Sequence, residues 1–159
     1  MPRTGTTRRR VLSLTGAGLF AAGCSAGKPE KSVPAAPPAP DPETVMRNRS
    51  ATASRTLLGQ YDAVLARHPA AAQQLRPLRE AVAEHVKAFA GASAAPPAAA
   101  AVSADRGAAV KALAAAELRT AAAHTASLDT APAELARLLA SVAAAGAVHA
   151  YLLTGGTDR

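Results

Sequence analysis

The sequence predicts an all-α protein, an antiparallel four-helix bundle over residues 41–159. Three observations carry that expectation. Ala makes up 45 of the 159 residues, while Trp and Ile are absent. Ala and Leu favour helices, and the β-branched and aromatic residues that favour strands are scarce. Four stretches then place their larger apolar residues at helical spacing, one stripe each, and proline or glycine punctuates the chain between them.

The first helix is expected to start at Asp41-Pro42-Glu43. Asp41 suits the N-cap, Pro42 the first turn, and Glu43 the positive end of the helix dipole. Its stripe is Met46, Ala53, Leu57, Tyr61, Val64 and Leu65, and His68 ends it before Pro69. Ser50 and Ser54 share that stripe, which makes its first half poorly apolar and prone to fray. The second helix begins near Ala70 and carries Leu75, Leu78, Val82, Val86 and Phe89. Pro77 lies inside it and should kink it or split off a first segment. Gly91 stops it, and residues 91–102, with Pro96-Pro97 and several alanines, read as a long loop.

The third helix is expected after Ser103 as N-cap, with Val110, Leu113, Ala114, Leu118, Ala121 and Leu128 on its stripe. Asp129-Thr130-Ala131-Pro132 breaks the chain. The fourth helix runs from Pro132 to about Thr154 with Leu135, Leu138, Leu139, Val142, Gly146, His149 and Leu153 inward, and Gly155-Gly156 ends it. The short break makes helices three and four neighbours of opposite direction.

Residues ahead of the helices read as address and tether. Arg3, Arg8, Arg9 and Arg10 form a basic head without an acidic residue, followed by the apolar run Val11 to Ala22. That run is shorter than the roughly 20 residues a spanning helix needs, and the pattern is that of a cleaved export signal over residues 1–23. Thr7-Arg8-Arg9-Arg10-Val11-Leu12 resembles the twin-arginine export consensus, which assigns Arg8 and Arg9 to export. Ala21-Ala22-Gly23-Cys24 resembles a bacterial lipobox, and Cys24 is the only cysteine of the chain. This resemblance implies lipidation at Cys24 and anchoring, without spanning, to the extracytoplasmic face of the cell membrane. Residues 24–40 hold Pro29, Pro34, Pro37, Pro38 and Pro40 and read as an extended tether.

The formal charge of +7 overstates the basicity of the mature chain. Residues 1–23 hold 4 of the 18 basic side chains and none of the 11 acidic ones, which leaves about +3 for the rest. No clustered basic face remains, so nucleic acid is excluded as a partner. No Ser, His and Asp spacing suggests a catalytic triad, and no catalytic residue is assigned.

The remaining candidate chemistry is a set of inward polar residues. At roughly 100° per residue Glu117 and His124 fall within the apolar arc of helix three, and His149 within that of helix four. His85 lies at the edge of the arc of helix two, and His68 continues that of helix one. Carboxylate with imidazole is the ligand chemistry of iron, manganese or zinc in a bundle core, so Glu117, His149, His124 and His85 are metal candidates. Against that stands the ordinary role of a core histidine, hydrogen-bonded and ligand-free. Glu117 is expected to pair with a histidine or to turn outward.

The run Leu135 to Ala150, with Tyr61 to Pro69 and Leu75-Arg76-Pro77-Leu78-Arg79, resembles the ferritin-like domains of lipoproteins from high-GC bacteria. In the metal-loaded members of that family two helices carry Glu and, three residues on, His, while the other two carry a single Glu. His149 matches the last-helix histidine, but Gly146 stands where the glutamate would be. Glu117 matches the lone glutamate of helix three. Helix two has Glu80, Glu84 and His85 in other spacing, and helix one has no inward glutamate. The resemblance thus implies a ferritin-like fold lacking most metal ligands and no cofactor. Two functions follow as expectations: a non-enzymatic interaction module with a protein partner in the cell envelope, or a ferritin-like protein binding a transition metal such as iron.

Overall fold

The structure, a computed structural model, describes residues 39–89 and 101–155. Arg8, Arg9, Cys24, the tether up to residue 38, Gly91 and Pro96-Pro97 lie outside the described residues. The described chain is all-α: α1 (Pro42–Arg67), α2 (Ala72–Phe89), α3 (Arg106–Ala126) and α4 (Ala133–Gly155). Short 3-10 turns, Pro69–Ala71 and Leu128–Thr130, precede α2 and α4.

The helix ends follow local chemistry. Asp41 Oδ2 accepts the Thr44 amide at 3.0 Å, and Pro42 occupies the first turn, as the sequence requires. The cap of α3 is Asp105 rather than Ser103. Asp105 Oδ1 accepts the Ala108 amide at 2.6 Å, while Ser103 Oγ accepts the Asp105 amide at 3.2 Å. Ser103 thus supports the cap, and a carboxylate at the positive end of the helix takes the capping position.

Pro77 does not divide α2, which is continuous from Ala72; the break lies earlier, in the 3-10 turn. Pro77 and Gln73 are both exposed. The Gln73 carbonyl, deprived of its helical donor by the proline, can therefore turn to water.

α1 packs along α2, and α3 along α4; α1 also meets α3, whereas α2 and α4 touch only lightly. Buried apolar side chains form two clusters. One joins Leu57 and Val64 of α1, Leu75 and Val82 of α2, Val110 and Leu113 of α3, and Leu153 of α4. The other joins Ala51, Phe89, Leu135, Leu139 and Val142, with Met46 and Leu128 packed against it. Ser50 and Ser54, where fraying was expected, are buried within an unbroken α1.

Leu118, placed on the stripe from sequence, is 54% exposed. Ala116 and Glu117 before it take the inward arc, and a further turn of about 100° carries Leu118 out of it. α4 is the most apolar of the four helices. Its 23 residues are long and apolar enough by length and composition to cross one. Yet Leu135, Leu139, Val142, Gly146, His149 and Leu153 are buried against the other helices, so α4 serves as a core helix here.

Candidate functional site

A tier of polar side chains separates the two apolar clusters. On α1, α2 and α4 a polar residue lies between a residue of one cluster and a residue of the other, and on α3 two polar residues follow those of the first cluster. Ser54 follows Ala51 and precedes Leu57 on α1; His85 stands between Val82 and Phe89 on α2. Glu117 and His124 lie between Leu113 and the end of α3, and His149 lies between Val142 and Leu153 on α4.

Glu117 is the centre of the tier, at 2% exposure. Tyr61 of α1 donates its hydroxyl to Glu117 Oε1 at 2.7 Å, and His149 Nδ1 of α4 lies 3.0 Å from the same oxygen. A carboxylate offers only acceptors, so His149 carries its proton on Nδ1. Burial of an anion is costly unless charge-assisted hydrogen bonds meet it, and here two donors from two other helices do so. Burial, reinforced by the Glu117 carboxylate, raises the Tyr61 phenol above its ordinary range. The hydroxyl therefore stays protonated and remains a donor.

Gly146 makes room for this pair. A Cβ on Gly146 would lie 3.3 Å from both Glu117 Oε2 and Ala121 Cβ. The space that a side chain would take at 146 is thus filled by the carboxylate and α3 itself.

The other face of His149 meets α2. The rings of His85 and His149 stack with centroids 6.0 Å apart and planes 15° from parallel. Burial chiefly, and then the proximity of His149, lowers the His85 pKa, while Glu117 opposes the shift. His124 sits further along α3, 2% exposed, with Nε2 3.4 Å from Ser54 Oγ and its ring tilted against Phe89 at 5.2 Å. Burial, followed by the charge of His85, lowers its pKa to about 4, so the ring is neutral at pH 7.

The structure thus brings Glu117 and His149 into direct contact, stacks His85 on His149, and holds His124 against Ser54 and Phe89. His68 stays apart: its Nε2 lies 2.9 Å from the Ser103 carbonyl oxygen and ties the end of α1 to the start of α3. Glu80 and Glu84 are exposed, and Glu84 pairs with Lys87 at 2.6 Å. Among the described residues no three of His, Cys, Asp and Glu converge to hold an ion. The donor set does not fit a di-metal carboxylate centre, which is built from about four glutamates and two histidines. One buried glutamate is present among the described residues, its Oε1 already serves two donors, and a Cβ at Gly146, where the resemblance calls for a second glutamate, would crowd Glu117 and Ala121 at 3.3 Å.

Tyr61 is the member that sequence reasoning missed. It was counted as an apolar stripe residue, although a buried phenol ordinarily requires a partner for its hydroxyl. Among the described residues Glu117 is the one buried carboxylate, and so the acceptor that an inward phenol on α1 calls for.

No protein-family model matches the chain, and no curated protein or solved structure matches it either.

Proposed function

We propose that this chain is a lipid-anchored, extracytoplasmic lipoprotein whose helices form an antiparallel four-helix bundle of ferritin-like plan. In this reading the domain is a non-enzymatic interaction module for a protein partner in the cell envelope. The observation that carries it is the closure of the polar tier. Glu117 is engaged by Tyr61 and His149, so among the described residues the buried carboxylate serves to join three helices. The short connections between α1 and α2 and between α3 and α4 favour opposite chain directions within each pair. Export and anchoring rest on the twin-arginine pattern at Arg8 and Arg9 and on the lipobox-like context of Cys24.

The outward feature that fits an interaction role is on α4. Val148, Tyr151 and Leu152 are 55%, 73% and 48% exposed. Spaced i, i+3 and i+4, they share one face, and residues 138–155 contain no Lys, Arg, Asp or Glu. A photo-crosslinker at position 151 in the full chain tests the module. A discrete adduct in membranes, lost on Val148→Asp, is expected; no adduct would count against it. Elemental analysis of untagged protein from its own host tests the alternative. Two equivalents of iron or manganese per chain, lost in Glu117→Ala and His149→Ala, would replace the interaction reading with the metal one. Membrane fractionation tests the anchor: Cys24→Ser should move the chain to the soluble fraction after a high-salt wash.

A further inference from the structure

The seam between α2 and α4 is lightly packed, and the His85–His149 stack spans it. The groups around that stack come from all four helices. α3 contributes Glu117, bonded to His149, and His124, seated between Ser54 and Phe89. α1 contributes Tyr61, whose hydroxyl is committed to Glu117, with half-buried Arg55 on the flank of α1 one heptad before Asp62. Asp62 itself is bound by Arg79 of α2 at 2.8 Å, and Glu84 and Lys87 of α2 pair with each other on the exposed surface. α4 contributes only His149. The charge arithmetic is uneven: two stacked imidazoles face one carboxylate. Glu117 carries one negative charge and touches only His149; it also favours a charged His85, but burial and the neighbouring His149 outweigh it there. His85 is half-buried rather than enclosed, which gives that second proton a route from solvent.

We propose that the His85–His149 stack is a proton-operated latch that holds α2 against α4 while at most one ring is charged and releases the seam when both are. Release exposes the inner faces of residues 82–89 and 146–153, leaving the α1–α2 and α3–α4 pairings intact. The lowered pKa of His85 agrees with this in sign. A histidine depressed in the folded state stabilises it above the unfolded pKa of about 6.5, and that contribution is lost as pH falls. His124 feels the charge of His85, but its own pKa of about 4 lies below the pH at which the latch is read, so it stays largely neutral there.

Amide hydrogen exchange of the full chain at pH 7.5 and 5.0, corrected for intrinsic rates, reads the latch directly. Exchange in residues 82–89 and 146–153 should rise by about tenfold or more at pH 5.0, with residues 109–114 of α3 unchanged. His85→Phe, which keeps a stacking ring and removes the proton, should abolish the selective rise, and His124→Phe should leave it in place. A wild-type chain without the selective rise, or His85→Phe responding as wild type does, overturns the proposal. Nuclear magnetic resonance titration of the wild-type histidines supplies a readout that needs no variant to fold. His85 should take up its proton below the ordinary histidine range. A His85 ring that titrates at the ordinary value would equally overturn it.

Discussion

The two layers of this core differ in kind. The cluster around Leu57, Leu75, Leu113 and Leu153 is held chiefly by apolar area, which is non-directional and tolerates exchange of one aliphatic side chain for another; Tyr61 is the member that reaches out of it to the polar tier. The polar tier, a few residues along the same helices, accepts one arrangement only. Tyr61 reaches Glu117 Oε1, and His149 meets both that oxygen and His85, at a single axial and rotational setting of the helices. Alanine-rich helices present little relief to one another, so area alone distinguishes poorly between this setting and one displaced by a turn. The difference teaches that stability and specificity reside in different layers of the same domain.

The largest effect should follow from breaking the tier at one point. His149→Ala withdraws a donor from a buried carboxylate and should cost about 3–5 kcal/mol in denaturant unfolding. Leu75→Ala, in the apolar cluster, should cost about 2–5 kcal/mol, the ordinary range for a cavity of that size. The comparison sharpens when the whole tier is removed. Tyr61→Phe, Glu117→Leu and His149→Leu together should restore stability to within about 1–2 kcal/mol of wild type, because no buried charge is left uncompensated. If the triple variant is as unstable as His149→Ala, the tier contributes net stability and the division of labour fails.

Acid should act on the tier and spare the apolar cluster. His124, with its pKa lowered to about 4, contributes stability that is complete above the unfolded value of about 6.5 and is lost as pH falls towards 4. The expected loss is roughly 3 kcal/mol over that interval. Unfolding curves of His124→Phe should be flatter with pH, and an unchanged slope would contradict the assignment. Tyr61→Phe removes one bond to a charged acceptor and should cost about 1.5–3 kcal/mol at pH 7. Smallest of all, Arg137→Ala breaks an exposed ion pair with Glu134 and should change stability by less than about 0.5 kcal/mol.

Much of the helical layout is legible in the sequence because helix ends are local. Asp41-Pro42 and Ala131-Pro132 announce starts through backbone chemistry that needs no distant partner. The inward placement of Glu117, His124 and His149 follows from rotation about a single helix, again a local property. What was not legible depends on two helices at once. The stack of His85 on His149 requires the relative rotation and height of α2 and α4, and Tyr61 acquires its polar role only from a residue on α3. Ser103 and Asp105 are both good caps, and which one served was decided by how the turn closes. A leucine reads as inward by default, yet Leu118 follows the buried Ala116 and Glu117 and turns out of the inward arc of α3.

The short connections have a kinetic meaning. Ser127 to Pro132 joins α3 to α4, and His68 to Ala71 joins α1 to α2, so the most extensive contacts are made between segments close in sequence. Such contacts lose little chain entropy on closing and form early. The expected route is two helix pairs that form separately and dock last. Within the α3–α4 pair Glu117 can already meet His149, but Tyr61 arrives only with the other pair. Docking is thereby the step at which the carboxylate acquires its second donor, and a pair docked one turn out of place would leave that donor behind. In stopped-flow kinetics Tyr61→Phe should accordingly speed unfolding and leave the folding rate nearly unchanged.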